Sequence, residues 1–320
     1  MSVLRDFKQQ QMKKKIIILI LIVVTGMSYA QQDPQYTQYM YNTIVVNPAY
    51  AGSREAMSIF GLYRNQWAGL DGAPVTSNFS IHTPINGSNV GLGLSIINDK
   101  IGPSDENNIA IDFSYTIHTS DRYKLSFGLK ATANLLNIDF SKLNQYDHND
   151  YVFDTNIDNM FSPNIGVGVY FYSEDTYIGL SAPYLLETTH FDRYADIGAN
   201  SHVAKEKIHY YFIAGHVFDL SADVKFKPSL LTKLVEGAPL QVDLSGNFML
   251  NDKFVAGLAY RWSAAFSAMV GFQISDSWFI GYGYDLETTK LANYNSGSHE
   301  IFLRYELFKN YDRIISPRFF

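Results

Sequence analysis

The chain has 320 residues, of which 47% are hydrophobic, 15% aromatic and 18% charged, with a formal net charge of −6. The aromatic share is high and the charged share falls below the usual quarter. The absence of cysteine excludes a disulfide scaffold, a thiolate metal site and a cysteine nucleophile; the acidic balance, with no basic run past the N-terminus, speaks against nucleic acid as a partner.

The N-terminus reads as an export signal. Lys13, Lys14 and Lys15 precede the apolar run from Ile16 to Val24, and Ser28-Tyr29-Ala30 offers small residues at a cleavage site. This is the layout of a secretory signal peptide spanning residues 1–30, cleaved after Ala30. Nine apolar residues are far short of the roughly 20 that a membrane helix needs. Residues 1–30 carry five basic and one acidic side chain, which leaves the remainder at −10.

Beyond the signal, apolar and polar residues alternate with period two. Ile109, Ile111, Phe113, Tyr115 and Ile117 interleave with Ala110, Asp112, Ser114 and Thr116; Leu125, Phe127, Leu129 and Ala131 interleave with Ser126, Gly128, Lys130 and Thr132. Such runs are strands with one apolar face. They predict fourteen strands, near 56–66, 75–83, 89–98, 107–118, 122–136, 162–172, 175–182, 207–219, 223–233, 239–249, 253–262, 264–275, 277–286 and 298–307. Connections after even-numbered strands are tight and polar. Those after odd-numbered strands, about 67–74, 99–106, 137–161, 183–206, 234–238 and 287–297, are mostly longer, with one exception near Ser263-Ala264. An even strand count with short turns on one side and longer loops on the other is the pattern of an outer-membrane barrel. The expected fold is therefore all-β, a 14-stranded antiparallel outer-membrane β-barrel over residues 56–307, with a tail at 308–320.

In a barrel, Tyr63, Trp67, Tyr115, Tyr177, Tyr210, Tyr260, Trp262, Trp278, Tyr282, Tyr284 and Tyr305 would form the interfacial girdles against outer-membrane lipid. Arg64, Asp112, Lys130, Lys225, Lys227, Asp243, Arg261, Glu300, Arg304 and Glu306 share the polar, lumen-facing side. Their mixed signs do not resemble the one-sign ring of a selective pore. Gly91, Gly93, Gly166, Gly168, Gly281 and Gly283 lie on that same side, where a missing side chain lets something approach the wall. No catalytic residue is expected. His82 with Ser80 or Ser77 is the sort of pair that chance supplies, since geometry makes a triad. No metal and no cofactor are expected: Asp147-His148-Asn149-Asp150, with Asp154 and Asp158, lacks the glycine and terminal glutamate of a calcium loop.

Residues 31–55 form a separate N-terminal segment. Tyr36, Tyr39, Tyr41 and Tyr50 fall in this short stretch, too many aromatics for an idle linker. Tyrosine supplies rigid contact area and a hydroxyl, so the segment packs on something: the inside of the barrel as a plug, or a periplasmic partner.

At these residues the chain resembles the PorP/SprF family of type IX secretion system outer-membrane proteins. The stretches that carry the likeness are Gln32-Asp33-Pro34-Gln35-Tyr36-Thr37-Gln38-Tyr39-Met40, Asn47-Pro48-Ala49-Tyr50-Ala51-Gly52-Ser53-Arg54, Tyr63-Arg64-Asn65-Gln66-Trp67, Asp71-Gly72-Ala73-Pro74, Ser80-Ile81-His82-Thr83-Pro84 and Gly91-Leu92-Gly93-Leu94. Pro163-Asn164-Ile165-Gly166-Val167-Gly168 and the terminal Ser316-Pro317-Arg318-Phe319-Phe320 extend it. Pro183-Tyr184-Leu185-Leu186 departs from the family, where a histidine is expected after the proline.

The resemblance implies a non-enzymatic barrel in the outer membrane of a Gram-negative bacterium. It would support secretion and surface anchoring of a large adhesin with a type B C-terminal domain, gliding-motility adhesins included. It also implies periplasmic or outer-membrane components of the secretion machine as partners. Asn47, Pro48, Tyr50, Gly52, Arg64, Gln66 and Trp67 are the motif residues that carry over; of these Asn47, Tyr50, Arg64, Gln66 and Trp67, with Tyr36 and Tyr39, are the candidate partner-binding residues. The competing expectation is a passive channel or hydrophobic-solute transporter, because such transporters also use fourteen strands and an N-terminal plug.

Overall fold

The computed structural model describes residues 36–143, 156–187 and 207–307. The expected signal peptide, residues 31–35, the acidic stretch Asp147 to Asp154, most of the 183–206 connection and the expected 308–320 tail lie outside the described residues.

Fourteen antiparallel strands close into a barrel. They are β1 (Met57–Asn65), β2 (Val75–Pro84), β3 (Val90–Ile101), β4 (Ser104–His118), β5 (Lys124–Ile138), β6 (Ile157–Tyr172) and β7 (Thr176–Ala182). They continue as β8 (His209–His216, resumed at Phe218–Asp219), β9 (Val224–Val235), β10 (Gln241–Leu250), β11 (Phe254–Arg261), β12 (Ala265–Gln273), β13 (Trp278–Glu287) and β14 (Ser298–Leu307). Each pairs with its sequence neighbours, and β1 closes the sheet on β14 from Met57↔Leu307 to Asn65↔His299. The break in β8 lies beside Pro228 of β9, which has no N–H to give to a ladder.

The alternation read from the sequence is realised inside out. On β2, Thr76, Asn78, Ser80 and His82 are buried while Phe79 is exposed; on β4 and β5, Asp112, Ser114, Ser126 and Lys130 are buried while Ile111, Phe113, Phe127 and Leu129 are exposed. An apolar exterior on this scale is unsuited to water and is what a lipid-facing band consists of. Tyr282 is exposed midway along β13, whereas Tyr63, Tyr210, Tyr260 and Trp262 are exposed at or beside the strand ends of one rim, and Tyr115 and Trp278 near those of the other, with Trp278 packed on Tyr305 at 4.6 Å. These are the positions of two interfacial belts. Tyr177 is a correction. It faces the lumen and is 5% exposed, because Ile178 and Leu180 take the lipid side of the seven-residue β7.

The short turns 85–89, 119–123, 173–175, 220–223, 251–253 and 274–277 share one rim with the start of β1 and the end of β14. That rim is the periplasmic one. Among the described residues, the opposite rim carries 66–74, 139–143, 183–187, 236–240 and 288–297. Two connections there are short. That at 262–264 matches the expected exception. The other is a correction: the predicted 99–106 loop is only Gly102-Pro103, because β3 and β4 stay in register as far as Ile101↔Ser104. Gly102 has φ +55°, as the first position of a two-residue hairpin turn requires.

Candidate functional site

The lumen is not empty. Residues 36–56 run through it as three 3-10 turns, Tyr39–Tyr41, Thr43–Val45 and Pro48–Tyr50. The third turn is dictated locally. Asn47 accepts the Ala49 N–H at 3.0 Å and Pro48 occupies the first position of the turn, the capping chemistry that asparagine and proline supply. Asn47 also donates from Nδ2 to the Val169 carbonyl of β6 at 3.1 Å, so one side chain both shapes the plug and ties it to the wall.

The wall accommodates the plug through missing side chains. A Cβ on Gly128 would strike the Ala49 backbone, one on Gly93 the Ile44 side chain, one on Gly91 the Ala51 carbonyl and one on Gly168 the Asn47 amide. A Cβ on Gly283 would lie 2.7 Å from Gln38 Nε2. Ile44 and Ala49 are fully buried in the resulting core, where Tyr41 packs on Phe302 at 4.7 Å and Tyr50 meets Tyr170 edge-on at 5.6 Å. Gly166 and Gly281 have other occupants, namely Pro183 and the Phe302 ring.

Charge fixes both ends of the plug. In the outer half, Arg64 pairs with Asp285 at 2.7 Å and Glu300 at 3.1 Å. Glu300 accepts the backbone N–H groups of Thr37 and Gln38 at 3.1 and 3.0 Å, and the Thr37 hydroxyl donates to Asp285 at 2.6 Å. Arg64 and Glu300 are 2% and 1% exposed, so this cluster has little water and depends on its own pairing. At the inner rim Arg54 pairs with Glu306, and the Gly52 N–H donates to His82 Nδ1 at 3.2 Å. Midway, Lys130 bridges Asp112 at 3.1 Å and the Ile44 carbonyl at 3.3 Å. A cleft of about 140 Å³ remains at the inner rim, lined in part by Gly52, Glu55, Gly91 and Lys124.

The outer mouth is narrowed from two sides. The 66–74 connection folds onto the 288–297 connection, where the Ala68 N–H donates to the Gly297 carbonyl at 2.8 Å, and onto its flanking strand ends, where the Trp67 N–H donates to Ser298 Oγ at 3.1 Å and Trp67 Nε1 to Glu287 at 2.8 Å. Trp67 has φ +49°, a left-handed backbone held by these contacts. Across the barrel, Asn164 accepts the N–H groups of Leu185 and Leu186 at 3.0 and 2.9 Å, holding residues 183–187 against the wall. The departing sequence after Pro183 is therefore a wall contact here.

Residues 28–305 match the family model of the type IX secretion system membrane protein PorP/SprF. The chain belongs to the PorP/SprF family. No curated protein matches it. Among solved structures it is similar to the Ralstonia pickettii toluene transporter TbuX, at 10% identity over 83% of this chain and 93% of that one, with a TM-score of 0.49. It is also similar to the CymD monoaromatic hydrocarbon channel, at 12% identity over 88% and 96%, with a TM-score of 0.47. A third is Acinetobacter baumannii Omp33, at 6% identity over 79% and 98%, also with a TM-score of 0.47.

In this PorP/SprF chain the seven residues singled out by sequence fall into two groups. Tyr39, Asn47 and Tyr50 are buried in the plug, Tyr36 is partly buried at its start, and Arg64 anchors it from the wall; Gln66 and Trp67 stand apart in the outer connection. Sequence reasoning missed Asp285, Thr37 and Arg54 as members of the charge clusters. Asp285 was within reach, since it continues the face of Gly281 and Gly283 on β13. The inward charges did not turn out to be one lining: Lys225 lies at the inner rim, paired with Asp252 at 2.5 Å. Neither serine makes a triad with His82. Ser77 faces outward, and Ser80 donates to Asn42 Oδ1 at 2.8 Å.

Proposed function

We propose that this outer-membrane barrel supports secretion and surface anchoring of a large adhesin bearing a type B C-terminal domain, the cargo class that includes gliding-motility adhesins. Membership of the PorP/SprF family supports a place in the secretion machine. The observation that carries the reading further is the filled lumen: a wall whose glycines receive the plug backbone is built to hold a polypeptide. Plugged solute transporters share this layout, so it is membership of the secretion family that favours this reading over the transporter. The chain is read as a non-enzymatic interaction protein, exported through a cleaved signal peptide, with the cargo on its outer side and periplasmic components of the machine at its inner rim.

Gentle detergent extraction from native membranes, followed by mass spectrometry of what co-purifies, tests this directly. The expected result is a large secreted surface protein in stoichiometric amount. A bare barrel that takes up an aromatic or fatty solute into liposomes would replace this reading with the transporter.

A further inference from the structure

The cleft at the inner rim is built jointly by plug and wall. Its floor is the last stretch of the plug, Ala51, Gly52 and Glu55, and its sides are the 85–89 turn and the inner ends of β4 and β5. Plug and wall approach closely there, since a Cβ on Gly52 would lie 2.9 Å from Gly91 Cα. Glu55 stands at the junction of plug and barrel. Its N–H donates to the Gly52 carbonyl at 3.1 Å, its backbone is left-handed at φ +61°, and β1 begins two residues later.

The lining is rich in donors. Asn89, Thr116, His118 and Lys124 all border the cleft, and the first three make no side-chain hydrogen bond among the described residues. Lys124 pairs with Glu55, and the two side chains keep 29% and 42% of their surface open. Amide, hydroxyl, imidazole and ammonium can each donate, yet the one carboxylate among them is that of Glu55. A second carboxylate is the group this set lacks. The direction of access is also fixed. Thr116 and His118 continue the inward register of Asp112 and Ser114, and Lys124 continues that of Ser126 and Lys130. Lipid head groups border the outward register instead, beside Tyr115 and Ile117. A ligand of this cleft therefore arrives from the periplasm, along the barrel axis.

We propose that the cleft receives an acidic side chain, aspartate or glutamate, of a periplasmic protein, which binds Lys124 in competition with Glu55. The presence of a periplasmic partner at this rim rests on the function proposed above. Hydrogen bonds between charged partners are roughly twice as strong as neutral ones, and here they would be made to wall and plug together. Because the plug supplies the floor, the partner engages only a barrel whose plug is seated.

The test turns on two substitutions that break the same ion pair. The photo-cross-linking residue p-benzoylphenylalanine replaces Asn89 in one strain and Ala222, in another turn of the same rim, in a second; cells are irradiated and the cross-linked peptides sequenced. The probe at Asn89 should capture a periplasmic protein that the probe at Ala222 does not, through a peptide containing aspartate or glutamate. Lys124→Gln should lower the yield about fivefold, whereas Glu55→Gln, which frees Lys124 of its internal competitor, should raise it. Equal losses in both would assign the pair to rim stability and overturn the proposal. No capture, capture of phospholipid or cell-wall glycan, capture of a peptide without an acidic residue, or a yield indifferent to Lys124→Gln overturns it as well. Gly128→Val, which drives a side chain into the plug at Ala49, should abolish capture; undiminished capture overturns the plug's part in the site. None of these readings involves the exported cargo, so a failed pull-down of the adhesin strikes the secretion reading and leaves the cleft standing.

Discussion

Glu300 carries more of the plug's attachment than any other single side chain in the outer half, because it serves two backbone N–H groups and Arg64 at once. Arg64 keeps Asp285 when Glu300 is lost, so the cost falls on the buried Thr37 and Gln38 N–H groups left without their acceptor, at about 1–3 kcal/mol each. Glu300→Ala should therefore lower the temperature at which the folded form is lost on unheated gels, and Glu300→Gln, which keeps an acceptor for Thr37 or Gln38, should lower it less. Equal shifts for the two would assign the effect to packing. The glycines make a matched pair of tests. Gly128→Val places a side chain in the Ala49 backbone, whereas Gly61, on the lipid face, has nothing within 4 Å of an added Cβ. Overpacking costs about 1–3 kcal/mol or more where backbone must move, so Gly128→Val should expose the plug to protease while Gly61→Val leaves the digestion pattern unchanged.

Between elements, the periplasmic turns are linked more weakly. Arg122 in the β4–β5 turn pairs with Asp175 in the β6–β7 turn at 2.7 Å. Partial burial pushes the Asp175 carboxyl up, but the Ser173 hydroxyl and the Arg122 guanidinium outweigh it and hold the group below the usual aspartate range. Its stabilising effect is then complete above that ordinary range and fades as pH falls through the lowered value. Screening by water keeps such a pair at or below about 1 kcal/mol, so Arg122→Ala should barely move thermal stability at neutral pH and should weaken that part of its acid dependence, the Ser173 hydrogen bond keeping the rest. The strands themselves were legible because lipid on one side and a polar lumen on the other impose strict alternation, as in β4 and β5. Turns were less so: Gly102-Pro103 closes a hairpin that polar Asp99, Asp105 and Glu106 disguise as a loop, since strand ends above the membrane lose the apolar half of the pattern. The aromatics of residues 36–50 announced packing, yet not against what. Tyr177 was misassigned because a tyrosine suits both a lipid interface and a lumen filled by other tyrosines. The clusters joining Thr37 to Asp285 and Arg54 to Glu306 unite residues about 250 positions apart, and no local pattern records such a meeting.

For the molecule as a whole, plug and wall form one packed interior, so the intact protein in a planar bilayer should show no steady conductance. Arg54→Ala combined with Glu300→Ala frees both ends of the plug and should bring intermittent openings; steady conductance by the unaltered protein would contradict the packed lumen. The β1–β14 seam also bears on how such an object is made. Those two strands meet only after all fourteen exist, while the plug lies immediately before β1 in the chain and inside the finished wall. Threading a ready-made cylinder would drag Tyr41 and Tyr50 past the buried Phe302 and Tyr170 rings. The sheet must instead curl around a segment already lying along its concave side, with the glycines of β3, β5 and β6 receiving it before the last strand arrives. The plug is thus a template for closure, and the stretch just before the first strand becomes the centre around which the rest is wound.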